Sequence, residues 1–429
     1  MRQQEGQRSL EKVDKNHSLA LNKNLHLKIF FALALAIPSG LFIKSPVFLA
    51  LLGLTGTLFL NALKLLIVPI ILSSIISGIL NLPDVRGLGR IGTATIIYYL
   101  STSILAVATG CIVLFAIKPG ISNALPTGEI LGFSHDTFVN TKLVSGSISD
   151  LKDIFIRMVP PNIVSAAAKG QMLGLIFFGL LFGISCHLTS KKGKETLTNL
   201  VNALFEATMK MTELVMLFAP VGIFALVAKV FAQTGLHALR PLALFFFTVF
   251  LALSIHFFLT LPVILRFFGI SPLKHMKSMT PALLTALSTA SSSATLPVTM
   301  ECVEKNAGIP NRVSSFVLPL GATVNMDGTA LYECVAALFI AQAMGVKITI
   351  IKAFVVAFTA VITSIGVAGI PAASLVAIAI ILKIMGLPAE TMGPILAVDR
   401  ILDMLRTSVN VFSDSCGAAV VARVDEKDG

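Results

Sequence analysis

The sequence predicts an all-α protein that crosses a membrane many times, and three observations support this fold class. Of the 429 residues, 55% are hydrophobic and only 13% are charged, whereas an average soluble domain has roughly 25% charged residues. Long stretches without any charge recur along the chain, and roughly 20 mostly apolar residues suffice for a membrane helix. Two of these stretches are interrupted by glycine, proline or hydroxyl residues. Together these features exclude the soluble globular, disordered and coiled-coil classes.

The charge-free stretches locate the predicted helices. Runs without a charged residue occur at 29–43, 45–63, 65–83, 91–117, 171–190, 214–228, 241–265, 278–300 and 353–382. Two further helix candidates, 312–343 and 388–423, are apolar but interrupted by charged residues. The sequence therefore predicts about eight spans and two stretches that do not behave as simple spans.

The basic residues orient the predicted spans. The net charge is +11, and lysine and arginine accumulate in the cytoplasmic loops of membrane proteins. Placing Arg86, Arg90 and the basic turns at 191–194 and 274–277 in the cytoplasm puts the loop 119–157 outside, and it leaves both termini cytoplasmic. The chain has no tryptophan and three tyrosines, so it lacks an aromatic platform for bases, and no nucleic-acid partner is predicted.

Signatures of catalysis, ATP binding and metal centres are missing from the sequence. There is no GxxxxGK[ST] loop, no HExxH motif, and the seven histidines are scattered. The five cysteines lie in apolar stretches without CxxC spacing, so neither a disulfide nor a zinc site is predicted. We therefore expect neither an enzyme nor an ATP-driven pump.

Two apolar stretches carry internal breaks. Ser278–Met300 is long enough to span, yet six of the eight residues at 288–295 bear hydroxyls, and Pro297 follows. The stretch 353–382 contains two glycines and a proline at 366–371, which mark a break. Each broken stretch precedes a helix with polar residues, and this order is typical of an inverted-repeat transporter whose half-helices meet in the membrane. The alternative is two ordinary kinked helices.

One polar stripe runs along the last predicted helix. At about 100° per residue its polar side chains fall within an arc of roughly 100°, and these are Asp399, Asp403, Arg406, Thr407, Asn410 and Asp414. The fork of Arg406 suits a carboxylate, and Asp403 could receive an ammonium group. The pair predicts a receptor for a zwitterion with an additional acid group. The alternative is that Arg406 pairs with Asp399 or Asp403 inside the bundle.

Carboxylate and amide oxygens predict a site for a hard cation. Asp414, Asn410 and the segment 321–327 supply such oxygens, and none of these residues is a cysteine or a histidine. Broken-helix carbonyls are where transporters coordinate sodium. Glu333 is an isolated acid in an apolar helix, and it is either a proton carrier or a hydrogen-bonded structural acid.

Several motifs resemble the glutamate/aspartate transporter family, the dicarboxylate/amino acid:cation symporters. They are SSSATLP at 291–297, NMDGT at 325–329, the glycine- and proline-containing tip at 366–371, and DMLRTSVN at 403–410. The resemblance extends from about residue 25 to 424, with the motifs in the family's order. It identifies the chain as similar to secondary transporters of small anions.

The resemblance implies an architecture of eight transmembrane helices, two re-entrant helical hairpins and a homotrimer. It divides the chain into a cytoplasmic tail (1–27), transmembrane helices 1–6 (28–270), a core transport domain (271–424) and a short cytoplasmic tail (425–429). The core transport domain would contain hairpin 1 (273–303), helix 7 (312–343), hairpin 2 (350–384) and helix 8 (388–423). The transport domain would move like an elevator past a scaffold, and the second hairpin would be the extracellular gate.

The resemblance also implies roles for individual residues. Arg406 would bind the side-chain carboxylate of the substrate and Asp403 its amino group. The rest of the substrate site would be Thr407, Asn410, Thr329, Ser292, Ile370 and Ser374. One sodium site would use Gly321, Asn325, Asn410 and Asp414; a second would use the carbonyls of Thr323, Ser364, Ile365 and Val367; a third would use Tyr99, Thr102, Ser103, Asn325 and Asp327.

The resemblance implies a symporter for L-glutamate and L-aspartate in the inner membrane, with sodium as co-substrate and no cofactor. Glu333 matches the acid that proton-coupled members carry, which supports proton co-transport. Dicarboxylate carriers of the family lack the acid at position 403, and neutral amino-acid carriers lack the arginine at 406; this chain has both. The alternatives are a C4-dicarboxylate:cation symporter and an anion channel.

Overall fold

The computed structural model of the protein consists almost entirely of helices. It describes residues 25–43, 45–80, 85–122, 125–133, 156, 159–169, 172–366 and 374–426. The first helices are α1 (Leu25–Phe42), α2 (Pro46–Leu80), α3 (Val85–Ile117), α4 (Ile163–Lys169), α5 (Met172–His187), α6 (Lys191–Leu217) and α7 (Ala219–Thr234). After α3, the two-residue strands β1 (Ile121–Ser122) and β2 (Leu125–Pro126) pair antiparallel, with Ile121 opposite Pro126.

The remaining helices form the second part of the chain. They are α8 (Leu239–Ile255), α9 (Leu261–Phe267), α10 (Pro272–Thr289), α11 (Ser292–Glu301), α12 (Asn311–Val324), α13 (Asp327–Ala343), α14 (Ile350–Gly366), α15 (Ser374–Ile384) and α16 (Leu396–Glu426). Two π-helical turns, His256–Thr260 and Cys302–Asn306, follow α8 and α11, and 3₁₀ turns occupy Gly235–Ala238 and Ala389–Ile395.

Four described segments are long and apolar enough to cross a membrane, namely Pro46–Leu80, Arg90–Ile117, Ala219–Phe267 and Asn311–Ala343. Shorter apolar helices cover Leu27–Phe42, Phe177–Cys186, Ile350–Ile365 and Ser374–Ile384. Large aliphatic and aromatic side chains are exposed along these helices, including Phe30, Leu58, Ile104 and Phe258. Such surfaces fit a helical protein surrounded by lipid.

The predicted helix limits differ from the observed ones: the candidate 388–423 becomes α16 only from Leu396, after a 3₁₀ turn, and three further differences concern whole helices. The runs 45–63 and 65–83 share one helix, α2, which ends at Leu80 among the described residues, because lysine is a good helix former and Lys64 does not interrupt it. The candidate 312–343 is two helices, α12 and α13, separated at Asn325. The amphipathic helix α6 lies mostly outside the predicted spans, because its charged residues interrupt the apolar pattern.

The hydroxyl-rich segment forms the turn between α10 and α11. Ala290 adopts a left-handed conformation with φ of 49°, and Ser291 caps α11 by accepting a hydrogen bond from the backbone N–H of Ala294 at 3.2 Å. Side-chain caps satisfy backbone donors that a helix end leaves without partners. In the second broken stretch, α14 ends at Gly366 and α15 begins at Ser374, and the predicted tip between them lies outside the described residues.

Helices α13 and α16 occupy the centre of the protein. Every residue of α13 from Asp327 to Ala343 is buried, as expected for a helix covered by protein on all sides. It contacts α3, α8, α14, α15 and α16, and α16 in turn contacts α10, α11 and α12. This packing brings the interrupted helices and the polar stripe of α16 together.

Candidate functional site

The break between α12 and α13 brings an amide to the polar stripe of α16. Asn325 is fully buried, and its Nδ2 donates to Ser413 Oγ at 3.0 Å and to Asp414 Oδ1 at 2.9 Å. From the other side, Thr102 Oγ1 donates to Asn325 Oδ1 at 3.3 Å. The interruption of the helix therefore ties together three helices that are far apart in the sequence.

Asp327, the first residue of α13, is the centre of a second set of hydrogen bonds. Its Oδ1 accepts from Ser103 Oγ at 2.7 Å, and its Oδ2 accepts from Ser413 Oγ at 2.6 Å. His256 Nε2 lies 3.2 Å from Asp327 Oδ2. Sequence reasoning missed His256 and Ser413, because only the fold brings them to Asp327, although the π-helical turn that begins at His256 marks an irregularity of the kind found at functional sites.

The two buried carboxylates Asp327 and Asp414 face an oxygen-rich environment. No lysine or arginine forms an ion pair with either of them within the described part of the chain. Gly321 lets α12 approach closely, since a Cβ there would lie 2.5 Å from Asp414 Oδ1 and 2.7 Å from Tyr99 Oη. Buried acids that pair with neither lysine nor arginine among the described residues, surrounded by hydroxyl and amide oxygens, provide the chemistry that binds a hard cation.

The structure brings together most of the residues predicted for the first and third sodium sites. Asn325, Asp327, Thr102, Ser103 and Asp414 are linked through the contacts given above. Tyr99 Oη donates to Val317 O at 2.6 Å beside Gly321, and Asn410 is considered below.

Three of the four residues predicted for the second sodium site are among the described residues. Thr323 Oγ1 and Ser364 Oγ donate to carbonyls of their own helices, at 3.0 and 2.9 Å. Ile365 lies next to Ser364 in α14, and α14 contacts α12. Val367 lies outside the described residues.

A cluster of charged side chains occupies the first half of α16. Arg406 donates to Asp403 Oδ1 from Nη2 at 2.7 Å and from Nε at 3.1 Å, and to Asp399 Oδ1 from Nη1 at 3.3 Å. Tyr332 of α13 donates to the same Asp399 oxygen at 2.7 Å. Arg406 thus pairs with both acids, as the structural alternative expects, and all three charged side chains are buried.

Arg400 belongs to this cluster, and sequence reasoning missed it. Its Nη1 lies 3.0 Å from Asp403 Oδ2, and its side chain is only 9% exposed. On the helical wheel it falls about 100° from Asp399, outside the polar arc. The signal that could have revealed it is its spacing of three residues from Asp403, which permits a side-chain pair on a helix.

Neutral polar residues lie next to the charged cluster. Asn410 Oδ1 accepts from the backbone N–H of Gly328 at 2.8 Å, and its Nδ2 donates to Thr329 Oγ1 at 3.0 Å. Thr407 Oγ1 donates to the carbonyl of Asp403 at 2.8 Å. The predicted substrate residues Thr329, Asn410 and Thr407 therefore gather around the contact between α13 and α16.

Of the three substrate-site residues predicted in the two hairpins, the structure describes Ser292 and Ser374. Ser292 is buried at the start of α11, which contacts α16. Ser374 is buried at the start of α15, and its Oγ has no hydrogen-bond partner among the described residues. Ile370 lies outside the described residues.

Glu333 lies inside α13 and is fully buried. Its Oε2 accepts from Thr363 Oγ1 of α14 at 2.9 Å, and its Oε1 has no hydrogen-bond partner among the described residues. This geometry fits both roles considered for Glu333. The hydrogen bond from Thr363 suits a structural acid, and the second oxygen could carry a proton if Glu333 is a proton carrier.

Comparisons with known proteins agree with the geometry. Residues 25–424 match the sequence profile of the sodium:dicarboxylate symporter family. The chain is 36% identical over 423 residues to excitatory amino acid transporter 3 of Mus musculus, covering 87% of this chain and 79% of that protein. It is 34% identical over 413 residues to the proton/glutamate-aspartate symporter of Escherichia coli (strain K12), covering 94% and 93%. Excitatory amino acid transporter 2 of Homo sapiens is 35% identical over 464 residues, covering 96% and 80%.

Proposed function

The chain belongs to the sodium:dicarboxylate symporter family, and from this premise we propose that it takes up L-glutamate and L-aspartate together with sodium ions. The family is one of transporters, so the activity is transport rather than catalysis. The names of the three relatives given above refer to excitatory amino acids or to glutamate and aspartate. They support acidic amino acids as substrates.

The observation that carries the proposal is the buried contact between Arg406 and Asp403. An acidic amino acid has two carboxylates and one ammonium group. The guanidinium of Arg406 would bind the side-chain carboxylate, and the carboxylate of Asp403 would receive the ammonium. The two ligand groups would replace the bonds that Arg406 makes to Asp403 Oδ1 at 2.7 and 3.1 Å. Each buried charge would therefore keep a partner of opposite charge.

The neighbouring polar groups would bind the main carboxylate. Asn410, Thr329 and Thr407 lie beside the charged pair, and Ser292 lies at the amino terminus of α11, where backbone N–H groups favour an anion. Ile370 and Ser374 of the second hairpin would complete the site when this hairpin closes.

Sodium would bind to the oxygens around Asp327 and Asp414. The first of the proposed sites uses Gly321, Asn325, Asn410 and Asp414, and the third uses Tyr99, Thr102, Ser103, Asn325 and Asp327. Asn325 belongs to both sites. A cation bound in one site would fix the orientation of the Asn325 amide, and this orientation would affect binding in the other site. The second site would use the carbonyls of Thr323, Ser364, Ile365 and Val367.

Proton co-transport would depend on Glu333. The name of the Escherichia coli relative includes a proton as well as glutamate and aspartate. A buried acid with one oxygen bonded to Thr363 is a suitable carrier, because a neutral carboxyl is much cheaper to bury than a charged one.

The proposed setting is a homotrimer in the inner membrane with both termini in the cytoplasm. In each subunit the segment 271–424, with the third and sixth of the six transmembrane helices expected within 28–270, would form the moving transport domain. The two hairpins, about 273–303 and 350–384, would cover the substrate from opposite sides.

Uptake into proteoliposomes tests the proposal. Labelled L-aspartate and L-glutamate should accumulate against a gradient only when sodium is imposed outside, and an imposed pH gradient should add to uptake. Accumulation driven by protons without sodium would overturn the sodium assignment. Flux without accumulation would favour an anion channel, and accumulation of succinate with no aspartate uptake would favour a C4-dicarboxylate symporter.

A further inference from the structure

A cavity outside the proposed substrate and sodium sites lies between the end of α3 and the start of α8. Its volume is about 340 Å³, and its wall combines the polar side chains of Ser122, His237 and Arg240 with the apolar side chains of Leu236 and Leu244. An apolar wall with a few polar groups is typical of a cavity that binds a small molecule. The function proposed above assigns no role to this cavity.

The cavity lies where apolar helices meet the boundary between membrane and water. The span Arg90–Ile117 ends two residues before Pro119, which belongs to the cavity wall. The apolar segment Ala219–Phe267 has 49 residues, about twice the length that one crossing needs. Two crossings therefore fit this segment, and the 3₁₀ turn that begins at Gly235, whose φ is 61°, divides them. Lipid headgroups lie at this boundary.

The polar groups of the wall are hydrogen-bond donors without partners. Arg240 and His237 are exposed, Ser122 is half-buried, and none of the three side chains forms a hydrogen bond or an ion pair within the described part of the chain. A guanidinium matches the geometry of a phosphate, and a histidine ring has a donor in either tautomer. Glu129, the acid next to the wall residue Ile130, pairs with neither base. The local charge therefore favours an anion.

An apolar stripe on α8 continues from the basic end of the cavity. At about 100° per residue, Arg240, Leu244, Phe247 and Leu251 fall within an arc of roughly 60°. The side chain of Phe247 is 52% exposed, so the stripe is accessible from the surroundings of the helix. A basic group at the boundary followed by apolar side chains deeper in the membrane matches the order of headgroup and acyl chain in a phospholipid. A soluble anion would contact only the basic end.

We propose that this cavity binds the phosphate of an anionic phospholipid. Arg240, His237 and Ser122 donate hydrogen bonds to the phosphate, and one acyl chain lies along Leu244 and Phe247. A zwitterionic lipid has the same phosphate, but its ammonium group is repelled by the guanidinium. Basic groups between membrane helices are known to bind anionic headgroups in this way.

The absence of tryptophan from the chain permits a local measurement of lipid binding. Phe247→Trp introduces a single fluorescent reporter beside the cavity. The full-length protein is reconstituted into vesicles of phosphatidylcholine with increasing fractions of brominated phosphatidylglycerol, whose bromine atoms quench a nearby tryptophan. The quenching curve gives the affinity of phosphatidylglycerol relative to phosphatidylcholine at this place. Phe30→Trp on α1, where the side chain is 58% exposed, is the control reporter for lipid elsewhere around the protein.

The arginine should account for the preference. Each basic group near a membrane surface strengthens the binding of anionic lipid roughly fivefold, so we expect at least this preference at Phe247→Trp and equal binding of the two lipids at Phe30→Trp. Adding Arg240→Gln should lower the preference roughly fivefold, whereas Arg240→Lys should retain most of it. The control is Arg312→Gln, which also removes an exposed arginine from the second residue of a helix, but one that pairs with Asp425. It should leave the preference unchanged.

Two further measurements use the reporter protein without any change at Arg240, so the test does not depend on the folding of that variant. Raising the salt concentration should weaken the preference for phosphatidylglycerol, because the bases are exposed and their charges are screened. Inorganic phosphate added to the buffer should not relieve the quenching. Relief by phosphate would assign the cavity to soluble anions and overturn the lipid assignment.

Equal binding of the two lipids at Phe247→Trp, or an unchanged preference in Arg240→Gln, would also overturn the proposal. These results do not depend on which substrate the protein carries, because the reporter measures lipid binding alone. Uptake of aspartate and glutamate tests the proposed function separately.

Discussion

The guanidinium carbon of Arg406 lies 4.5 Å from the centre of the Tyr332 ring. A cation over an aromatic face is attracted by the ring's quadrupole, and the hydroxyl of the same tyrosine donates to Asp399 Oδ1 at 2.7 Å. Tyr332 therefore contacts both an acid and the base that pairs with it. In the proposed substrate complex the ring would still support the plane of the guanidinium while its hydrogen-bond partners change from protein acids to a ligand carboxylate.

Removing the charge of Arg406 should change which amino acids the protein takes up. In Arg406→Cys we expect the kcat/KM for L-aspartate to fall roughly 10- to 100-fold or more, since hydrogen bonds to charged groups contribute about 1.5–3 kcal/mol. Uptake of neutral amino acids such as serine and cysteine should rise, because the site then has no buried guanidinium that a neutral side chain would leave without a ligand carboxylate. Competition assays in proteoliposomes measure both, and unchanged aspartate uptake would contradict the assignment.

Asp414 should control the affinity for sodium. In Asp414→Asn the carboxylate next to Asn325 Nδ2, at 2.9 Å, is replaced by an amide without charge. We expect the sodium concentration for half-maximal uptake to rise on the order of tenfold or more. The control is Asp425→Asn near the end of the same helix, whose acid pairs with the exposed Arg312. Equal sodium dependence in the two variants would argue against a cation site at Asp414.

Glu333 should determine whether uptake responds to protons. In Glu333→Gln the neutral amide can still accept from Thr363 Oγ1, which donates to Glu333 Oε2 at 2.9 Å, but it cannot carry a proton. We expect sodium-driven uptake that no longer responds to an imposed pH gradient. Glu213→Gln, which removes an exposed acid from α6, is the control. A wild-type pH response in Glu333→Gln would assign Glu333 a structural role.

Gly321 should tolerate no side chain. In Gly321→Ala the new Cβ would lie 2.5 Å from Asp414 Oδ1 and 2.7 Å from Tyr99 Oη, so the cation site must deform. We expect a loss of about 1–3 kcal/mol in stability from overpacking together with weaker sodium dependence of thermal unfolding. Gly78→Ala in α2 is the control, because nothing lies within 4 Å of its Cβ position, and its melting temperature should stay the same or rise slightly.

The pair of Lys64 and Glu390 connects α2 to the 3₁₀ turn before α16 and should make stability depend on pH. Partial burial raises the pKa of Glu390, but the hydrogen bond from Lys64, a backbone hydrogen bond and the charge of Lys64 together outweigh it, and the pKa lies below its ordinary value. A carboxyl with a lowered pKa in the folded state contributes stability above its unfolded pKa of about 4.3, and this contribution is lost as the pH falls through the folded pKa.

Glu390→Gln should therefore lower the melting temperature at pH 7 and have no effect at a pH below both pKa values. Because the side chain of Glu390 is 57% exposed, the effect at pH 7 should not exceed about 1 kcal/mol. Thermal unfolding of both proteins across this pH range is the measurement. A difference in melting temperature that persists at low pH would show that the lost contact is not the ion pair.

The sequence by itself determined the features that follow from local order. Its charge-free stretches determined the class of the fold, and the helical period alone placed Asp399, Asp403, Arg406, Asn410 and Asp414 on one side of α16. The clusters of hydroxyls and glycines also marked where helices are interrupted, because backbone groups freed at a break require polar surroundings.

Only the tertiary structure decided which of these groups meet. Ser103 reaches Asp327 across 224 positions, and Asn325 reaches Asp414 across 89; no periodicity within one helix specifies such pairs. Lys64 pairs with Glu390, an acid 326 positions away in the sequence. His256 joins the site because helix packing brings it to Asp327. Local periodicity sets the face on which a side chain lies, whereas its partner depends on how the buried helices pack against one another.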